Sequence, residues 1–166
     1  MPTLQMELEA SRNPLDLLEE FINANDWPFQ RASDDELVVE IRGRWCDYHM
    51  CFVWENDLRA IFFSCQLDQK IPRSHRQAVH ELLAQVNDLL WLGHFGLTSE
   101  SAMPMFRHTI PLRGMPGASI EQLEDVVDTA LTECERFYPA LQLVVWGGRS
   151  VSEAIAAAHM DTIGEA

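Results

Sequence analysis

The six histidines are the side chains best suited to bind a metal ion or to act as a general base. His80-Glu81 begins like the zinc-protease motif H-E-x-x-H, but Ala84 stands where the second histidine is required. His94 and His108 form the one plausible pair, because they could meet across a predicted hairpin. No third ligand stands at a suitable spacing, so the sequence predicts neither a metal site nor a cofactor.

Sequence motifs for nucleophilic catalysis and phosphate binding are missing. There is no G-x-S-x-G, no P-loop and no G-x-G-x-x-G. Gly147-Gly148-Arg149-Ser150 could bind an anion through free backbone N–H groups at a helix N-terminus. A glycine that ends one helix and a serine that caps the next explain the same residues, and we favour that interpretation.

The four cysteines, Cys46, Cys51, Cys65 and Cys134, contain no C-x-x-C pair, which argues against a zinc knuckle and a thioredoxin-type site. On a strand, Cys46 and Cys51 would point to opposite faces. Cys51 and Cys65 could approach each other on neighbouring strands, but reduced, buried thiols are the favoured interpretation.

Composition and charge indicate one globular domain. The chain has 166 residues, of which 47% are hydrophobic and 23% charged. Its net charge of −14 opposes binding to nucleic-acid phosphates and to anionic membranes. No apolar run approaches the ~20 residues that cross a bilayer, and the first residues lack a secretory signal pattern. We expect a cytoplasmic protein without nucleic-acid or membrane partners, whose acidity serves solubility or, alternatively, steers basic protein segments.

Alternating and β-branched segments predict an antiparallel sheet. Strands over residues 37–42, 46–54 and 58–65 follow one another through tight turns and form a meander. Residues 27–29, Trp-Pro-Phe, are predicted to be an apolar connector before this meander. A short run over 94–97, a polar turn and a second run over 103–112 predict a hairpin.

The helix predicted over 74–92, opened by a capping box of Ser74 and Gln77, carries two stripes. An apolar stripe faces the core and comprises Val79, Leu82, Leu83, Val86 and Leu90. A second stripe, displaced by about 100°, comprises His80, Ala84, Asn87 and Trp91. Either Trp91 covers the frayed helix end, which is the simpler explanation, or the second stripe contacts another chain.

Three further helices complete the chain. A first helix starts at Asn13-Pro14, and a capping box of Ser119 and Gln122 opens a long helix in which Pro139 marks a kink or a restart. Residues 141–146 fit either helix or strand, and a final helix follows. The fold class is therefore α+β, with the order α-β-β-β-α-β-β-α plus a C-terminal helical extension. We expect one domain over 1–166, with 1–12 flexible and 148–166 as the extension.

This element order, together with Asn87, Gly93-His94-Phe95 and Met105-Phe106-Arg107, resembles the YbjN family of bacterial sensory transduction regulators. The tail from Tyr138-Pro139-Ala140 to Trp146-Gly147-Gly148 is similar to alphaproteobacterial members. The resemblance implies a fold like that of type III secretion chaperones, assembled as a homodimer through the 74–92 helix and the 103–110 strand. It also implies protein binding and no enzyme activity. The helix beyond Gly148 departs from the chaperone pattern and could cover a surface that the chaperones leave open.

The leading hypothesis is a non-enzymatic protein-binding module, a chaperone-like adaptor or regulator that acts as a homodimer with an unknown protein partner. Its candidate contact residues are His80, Ala84, Asn87, Trp91, Phe95, Phe106 and Arg107. The alternative is a small-molecule or signal-binding regulatory domain, which needs a closed apolar pocket between sheet and helices with Arg107 and His108 pointing into it. An enzyme centred on His94 and His108 is the third hypothesis.

Overall fold

Six strands form one antiparallel sheet in the computed structural model, which describes residues 13–164 and their side chains as far as residue 159. The strands are β1 (Phe29–Ser33), β2 (Glu36–Arg42), β3 (Asp47–Glu55), β4 (Ala60–Leu67), β5 (His94–Leu97) and β6 (Pro104–Pro111). Their order across the sheet is β1-β2-β3-β4-β6-β5, so β1 and β5 are the edges. The β5–β6 hairpin therefore joins the meander through β6 rather than through β5.

The helices in this part of the chain are α1 (Pro14–Ala24), α2 (Arg76–Asn87), α3 (Ile120–Val145) and α4 (Val151–Gly164), with a 3-10 turn at Arg73–His75 before α2. The observed order is α-β-β-β-β-α-β-β-α-α, which confirms the α+β class with an antiparallel sheet. It contains one strand more than predicted. The prediction for residues 1–12 lies outside the described residues.

The additional strand is β1, at the end of the segment predicted to be a connector. It pairs with β2 on one side only, with Phe29 opposite Val39 and Arg31 opposite Leu37. Its five residues are exposed or half-buried, so they carry little of the hydrophobic alternation that identifies a strand in a sequence. Pairing with β2, not periodicity, makes this segment a strand.

One face of the sheet packs against the helices and forms the core. On β3, Tyr48, Met50, Phe52 and Trp54 are buried, as their alternation in the sequence predicts. The helices supply a matching set that includes Leu18 of α1, Val86 of α2 and Val126 of α3. The core therefore lies between the sheet and one layer of helices.

Helix α2 is shorter than the predicted 74–92 helix at both ends. The predicted capping box of Ser74 and Gln77 does not form, because the 3-10 turn makes His75 the N-cap residue, without a side-chain cap. The helix ends at Asn87, since the following residues turn the chain towards β5.

The long helix α3 begins and ends as its sequence signals indicate. Ser119 and Gln122 form the predicted capping box, with hydrogen bonds of 2.9 and 3.1 Å between their main-chain N–H groups and each other's side chain. The helix continues through Pro139 to Val145, which settles residues 141–145 as helical. Gly148, at φ +63°, then breaks the helix.

Helix α4 forms the predicted C-terminal extension. Ser150 Oγ accepts a hydrogen bond from the N–H of Glu153, at 3.2 Å, so this serine caps the helix. Val151, Ala154 and Ala158 are buried, and the helix contacts α2 and α3. The extension therefore adds to the helical layer, and the Gly147–Ser150 segment is explained as a helix end followed by a cap.

Candidate functional site

Asn87 joins the end of α2 to the edge strand β5. Its side-chain Nδ2 donates to the carbonyl oxygen of Phe95 at 3.0 Å, and its Oδ1 accepts from the N–H of Phe95 at 2.6 Å. Both ends of the amide are therefore used inside the chain. Because these hydrogen bonds position β5, Asn87 has a structural role in addition to its predicted place at a contact surface. Its side chain is only partly exposed.

Phe95 and Phe106, two of the predicted contact residues, belong to the core. Phe106 is completely buried and Phe95 nearly so. Their ring centroids lie 5.5 Å apart in an edge-to-face arrangement, and Phe95 also meets Phe137 of α3 at 6.4 Å. Strand alternation directs both rings to the covered side of the hairpin, so they are not available to a partner. We therefore reassign Phe95 and Phe106 from the predicted contact surface to the core.

Gly93 makes this packing possible. Its φ is +71°, and a Cβ atom at this position would lie 2.2 Å from Cζ of Phe106. Only a glycine satisfies both the backbone conformation and the contact with the ring. The Gly93-His94-Phe95 motif is therefore a packing motif.

The loop over residues 88–93 presents large apolar side chains to solvent. Trp91 is 72% exposed and Leu89 is 49% exposed. His80 and Ala84, on the outer side of α2, are also exposed. Trp91 lies beyond the end of the helix, so the predicted stripe is not one continuous helical face. Its members His80, Ala84 and Trp91 are nevertheless all accessible.

The second accessible surface is the side of the sheet that faces away from the helices, here named the open face. Its side chains are exposed or half-buried and include Val38, Cys51, Val53, Phe62, Ser64, His94, Met105, Arg107 and Thr109. Strand pairing places His94, Arg107, Ser64 and Cys51 opposite one another, in a row across β5, β6, β4 and β3. Arg107, a predicted contact residue, is the centre of this row.

A groove of about 390 Å³ lies on the open face around Arg107. Its walls include Val53, Phe62 and Met105 as well as the hydroxyl-bearing Ser64 and Thr109. The space between the sheet and the helices, where a closed pocket was predicted, is almost completely filled. The cavity among Leu67, Leu82, Phe95, Leu141 and their neighbours measures only about 10 Å³, because aliphatic and aromatic side chains fill that space.

A larger groove, of about 560 Å³, lies between the start of α1 and the start of α3. Four of the polar side chains in its wall already have hydrogen-bond or ion-pair partners within the chain. Asn13 caps α1, Ser119 and Gln122 cap α3, and Asp16 pairs with Arg31. This groove is therefore a consequence of how two helices begin, and it contains none of the predicted site residues.

His94 and His108 both line the groove around Arg107, but they are not direct cross-strand partners. His94 lies opposite Arg107, and His108 lies opposite Phe63 of β4. Burial, and then the charge of His94, lowers the pKa of His108. In residues 13–164 no group of three or more His, Cys, Asp or Glu side chains is arranged to hold a metal ion.

The four cysteines form no disulfide, and a hydrogen bond between the Cys65 and Cys134 thiols, together with burial, raises the pKa of Cys134. Cys51 lies opposite Ser64 and Cys65 lies opposite Met50, which places the two cysteines on different faces of the sheet. Cys65 and Cys134 are buried, and Cys46 and Cys51 are half-buried. Burial raises the pKa of Cys51 to about 11, with a further contribution from Glu36, whose Oε1 is 3.6 Å from its Sγ. This thiol is therefore protonated at neutral pH.

None of the helices described here is long and apolar enough to span a lipid bilayer.

The arginines differ in whether a carboxylate lies within ion-pair distance. Arg31 contacts both Asp16 and Glu19, at 3.3 and 3.0 Å. Arg107, in contrast, has no ion pair or hydrogen bond with any side chain in residues 13–159.

Comparison with known proteins places this architecture in a family. The model of the family named YbjN, described as "Putative bacterial sensory transduction regulator", matches residues 14–143. The structure titled "Crystal structure of YbjN, a putative transcription regulator from E. coli" superimposes with a TM-score of 0.54 at 15% identity, covering 74% of this chain and 87% of that chain. At that identity the likeness concerns the fold alone, and no curated protein matches the sequence. Because the family match spans most of its length, the chain belongs to the YbjN family.

Proposed function

We propose that this protein is a non-enzymatic regulatory module that binds other proteins and acts as a homodimer. Membership of a family described as sensory transduction regulators supports the regulatory role. The observation that carries the homodimer is the exposure of Trp91, 72%, beside Leu89. Large aromatic side chains that become buried on association contribute most of the binding energy in many interfaces.

The contact surface that we propose for the dimer consists of Trp91, Leu89, His80 and Ala84. His80 and Ala84 lie on the outer side of α2, and Leu89 and Trp91 follow in the loop after it. A small side chain such as Ala84 allows a second chain to approach closely, while the tryptophan supplies apolar area. Mutual burial of Trp91 would remove its apolar surface from water, at roughly 25 cal/mol per Å².

A chaperone-like adaptor role is the finer part of the proposal. It is supported by an antiparallel sheet with helices on one side and an accessible open face on the other. The net charge of −14 favours partners with basic segments and opposes nucleic acids and anionic membranes. We place this role in the cytoplasm.

Multi-angle light scattering across micromolar concentrations tests the assembly. A mass of twice 19.0 kDa is expected for the homodimer. A mass of 19.0 kDa at every concentration would remove the homodimer from the proposal. Partner binding is tested separately, by comparing the proteins that wild type and a Trp91→Ala variant retain under identical conditions. Equal retention would exclude Trp91 from partner binding.

A small-molecule-binding role is a second candidate because the groove beside Arg107 lies on the open face. This position differs from the closed pocket that the sequence suggested. The groove does not overlap the Trp91 surface, so the two roles are compatible.

A further inference from the structure

We propose that the groove on the open face binds a small organic monocarboxylate, with the carboxylate on Arg107 and the apolar part against Phe62, Val53 and Met105. This site is separate from the Trp91 surface and does not depend on self-association. It would give the protein a ligand in addition to its protein partners.

The position of Arg107 makes it the natural head-group contact. It lies on β6 between His94 of β5 and Ser64 of β4, each directly opposite it in its neighbouring strand. Adjacent strands are about 4.8 Å apart, so both neighbours are within reach of a group bound to the guanidinium. A carboxylate on Arg107 would therefore lie between an imidazole and a hydroxyl.

The charge of Arg107 is available. Its guanidinium has no ion pair or hydrogen bond with another side chain in residues 13–159, whereas Arg31, Arg42, Arg136 and Arg149 each have a carboxylate within 4.0 Å. Arg73, Arg76 and Arg113 also lack an ion pair among these residues, but of the four only Arg107 lines this groove. The planar guanidinium presents paired N–H donors that match the two oxygens of a carboxylate. In a chain of net charge −14, a cation left open in a groove is a specific feature.

The groove supplies further polar contacts beside the cation. Ser64 lies opposite Arg107, and Thr109 lies two residues along β6 on the same face. Both side chains line the groove. Hydroxyl groups can donate to a carboxylate oxygen, so they would add hydrogen bonds to the ion pair.

The apolar wall favours a ligand with a hydrocarbon part. Val53 lies opposite Phe62 and Phe62 opposite Thr109, in the row next to that of Arg107. Phe62 is 39% exposed, which is unusual for so large an apolar side chain within a sheet. The volume of about 390 Å³ is within the range of small-molecule sites. A ligand with both a carboxylate and a short hydrocarbon chain would satisfy both parts of the groove.

Electrostatics favour a single negative charge on the ligand. Glu36 lies opposite Val53, so a carboxylate stands at the β2 side of the same face. Repulsion from this carboxylate, and from the net charge of −14, grows with the charge of the ligand, while Arg107 offers one positive charge. A monoanion is therefore preferred over phosphate and over dicarboxylates.

Titration of the ¹⁵N-labelled protein with octanoate, followed by NMR, tests the site. Saturable shift changes are expected at the amides of His94, Ser64 and Arg107. Octanol, which has the same chain length without the charge, should bind at least tenfold more weakly, as should inorganic phosphate. Equal affinities for octanoate and octanol would overturn the carboxylate contact, and shift changes confined to other parts of the protein would overturn the location.

Variants separate Arg107 from the general charge of the protein. Arg107→Gln should weaken octanoate binding at least tenfold. Arg113→Gln removes an exposed arginine outside the groove and should leave the affinity within about twofold of wild type, because long-range charge effects are screened by salt. An Arg107→Gln protein that melts like wild type and binds octanoate equally well would overturn the proposal.

Discussion

The side-chain amide of Asn87 forms both hydrogen bonds that a neighbouring strand would offer to the main chain of Phe95, at 2.6 and 3.0 Å. β5 is an edge strand, paired on one side with β6 only. Asn87 therefore substitutes for part of the missing strand and fixes the point at which the chain leaves α2. This relationship explains why an asparagine stands before the Gly93-His94-Phe95 motif.

Replacing Asn87 by Ala should lower the free energy of unfolding by about 2 kcal/mol, since it leaves an N–H and a carbonyl without their protein partner. Urea denaturation measures the change. Asn87→Asp keeps the acceptor for the N–H of Phe95 but loses the donor, and should give an intermediate loss. A wild-type midpoint for Asn87→Ala would show that water replaces both bonds without cost.

Gly93→Ala should destabilise the protein by about 3 kcal/mol, because it combines a positive φ with a clash against the ring of Phe106. Gly96→Ala is the matched control in the next strand. A Cβ atom at Gly96 meets nothing within 4 Å, so its effect should be small. Thermal unfolding of the two variants compares them directly, and equal melting temperatures would contradict the packing described for Gly93.

Cys51 should react slowly with iodoacetamide at pH 8, because burial, and then Glu36, raises its pKa to about 11. Glu36→Gln removes the nearby charge and should increase the alkylation rate of Cys51 several-fold. Mass spectrometry of each peptide measures the rates. Cys46, whose pKa is raised to about 11 by burial and by groups other than Glu36, is an internal control. An unchanged Cys51 rate would show that burial alone sets its pKa.

His108 should make the fold less stable in mild acid. Burial, and then the charge of His94, lowers its pKa below the ordinary 6.5. The unfolded chain therefore takes up this proton more readily than the folded chain, so stability present above pH 6.5 is lost as the pH falls through 6.5 and then through the lower folded-state pKa. Denaturation at a series of pH values should show a shallower acid slope for His108→Gln than for wild type. Identical slopes would contradict a role for His108.

Much of the fold was predictable because hydrophobic periodicity reports burial. β3, β4 and β6 alternate clearly, and the capping box at Ser119 gives the start of α3. β1 was missed because an exposed edge strand has little periodicity. The end of α2 was misplaced because it depends on the hydrogen bonds of Asn87 with Phe95, which are tertiary contacts.

The candidate surfaces were predictable in part. The sequence identified Trp91 and Arg107, and both are exposed. It assigned Phe95 and Phe106 to a contact surface, although the strand alternation that exposes Arg107 necessarily buries Phe106. The groove around Arg107 could not be predicted, because its walls come from four strands whose register is set by pairing rather than by any single segment.

Sedimentation equilibrium of wild type beside Trp91→Ala tests the proposed homodimer most directly. We expect the dimer dissociation constant of Trp91→Ala to be at least tenfold higher than that of wild type, equivalent to a loss of about 1.4 kcal/mol. Trp146→Ala removes another exposed tryptophan, 60% accessible at the end of α3, and should stay within about twofold of wild type. Equal dissociation constants for wild type and Trp91→Ala, or a wild-type monomer at all concentrations, would contradict the proposal.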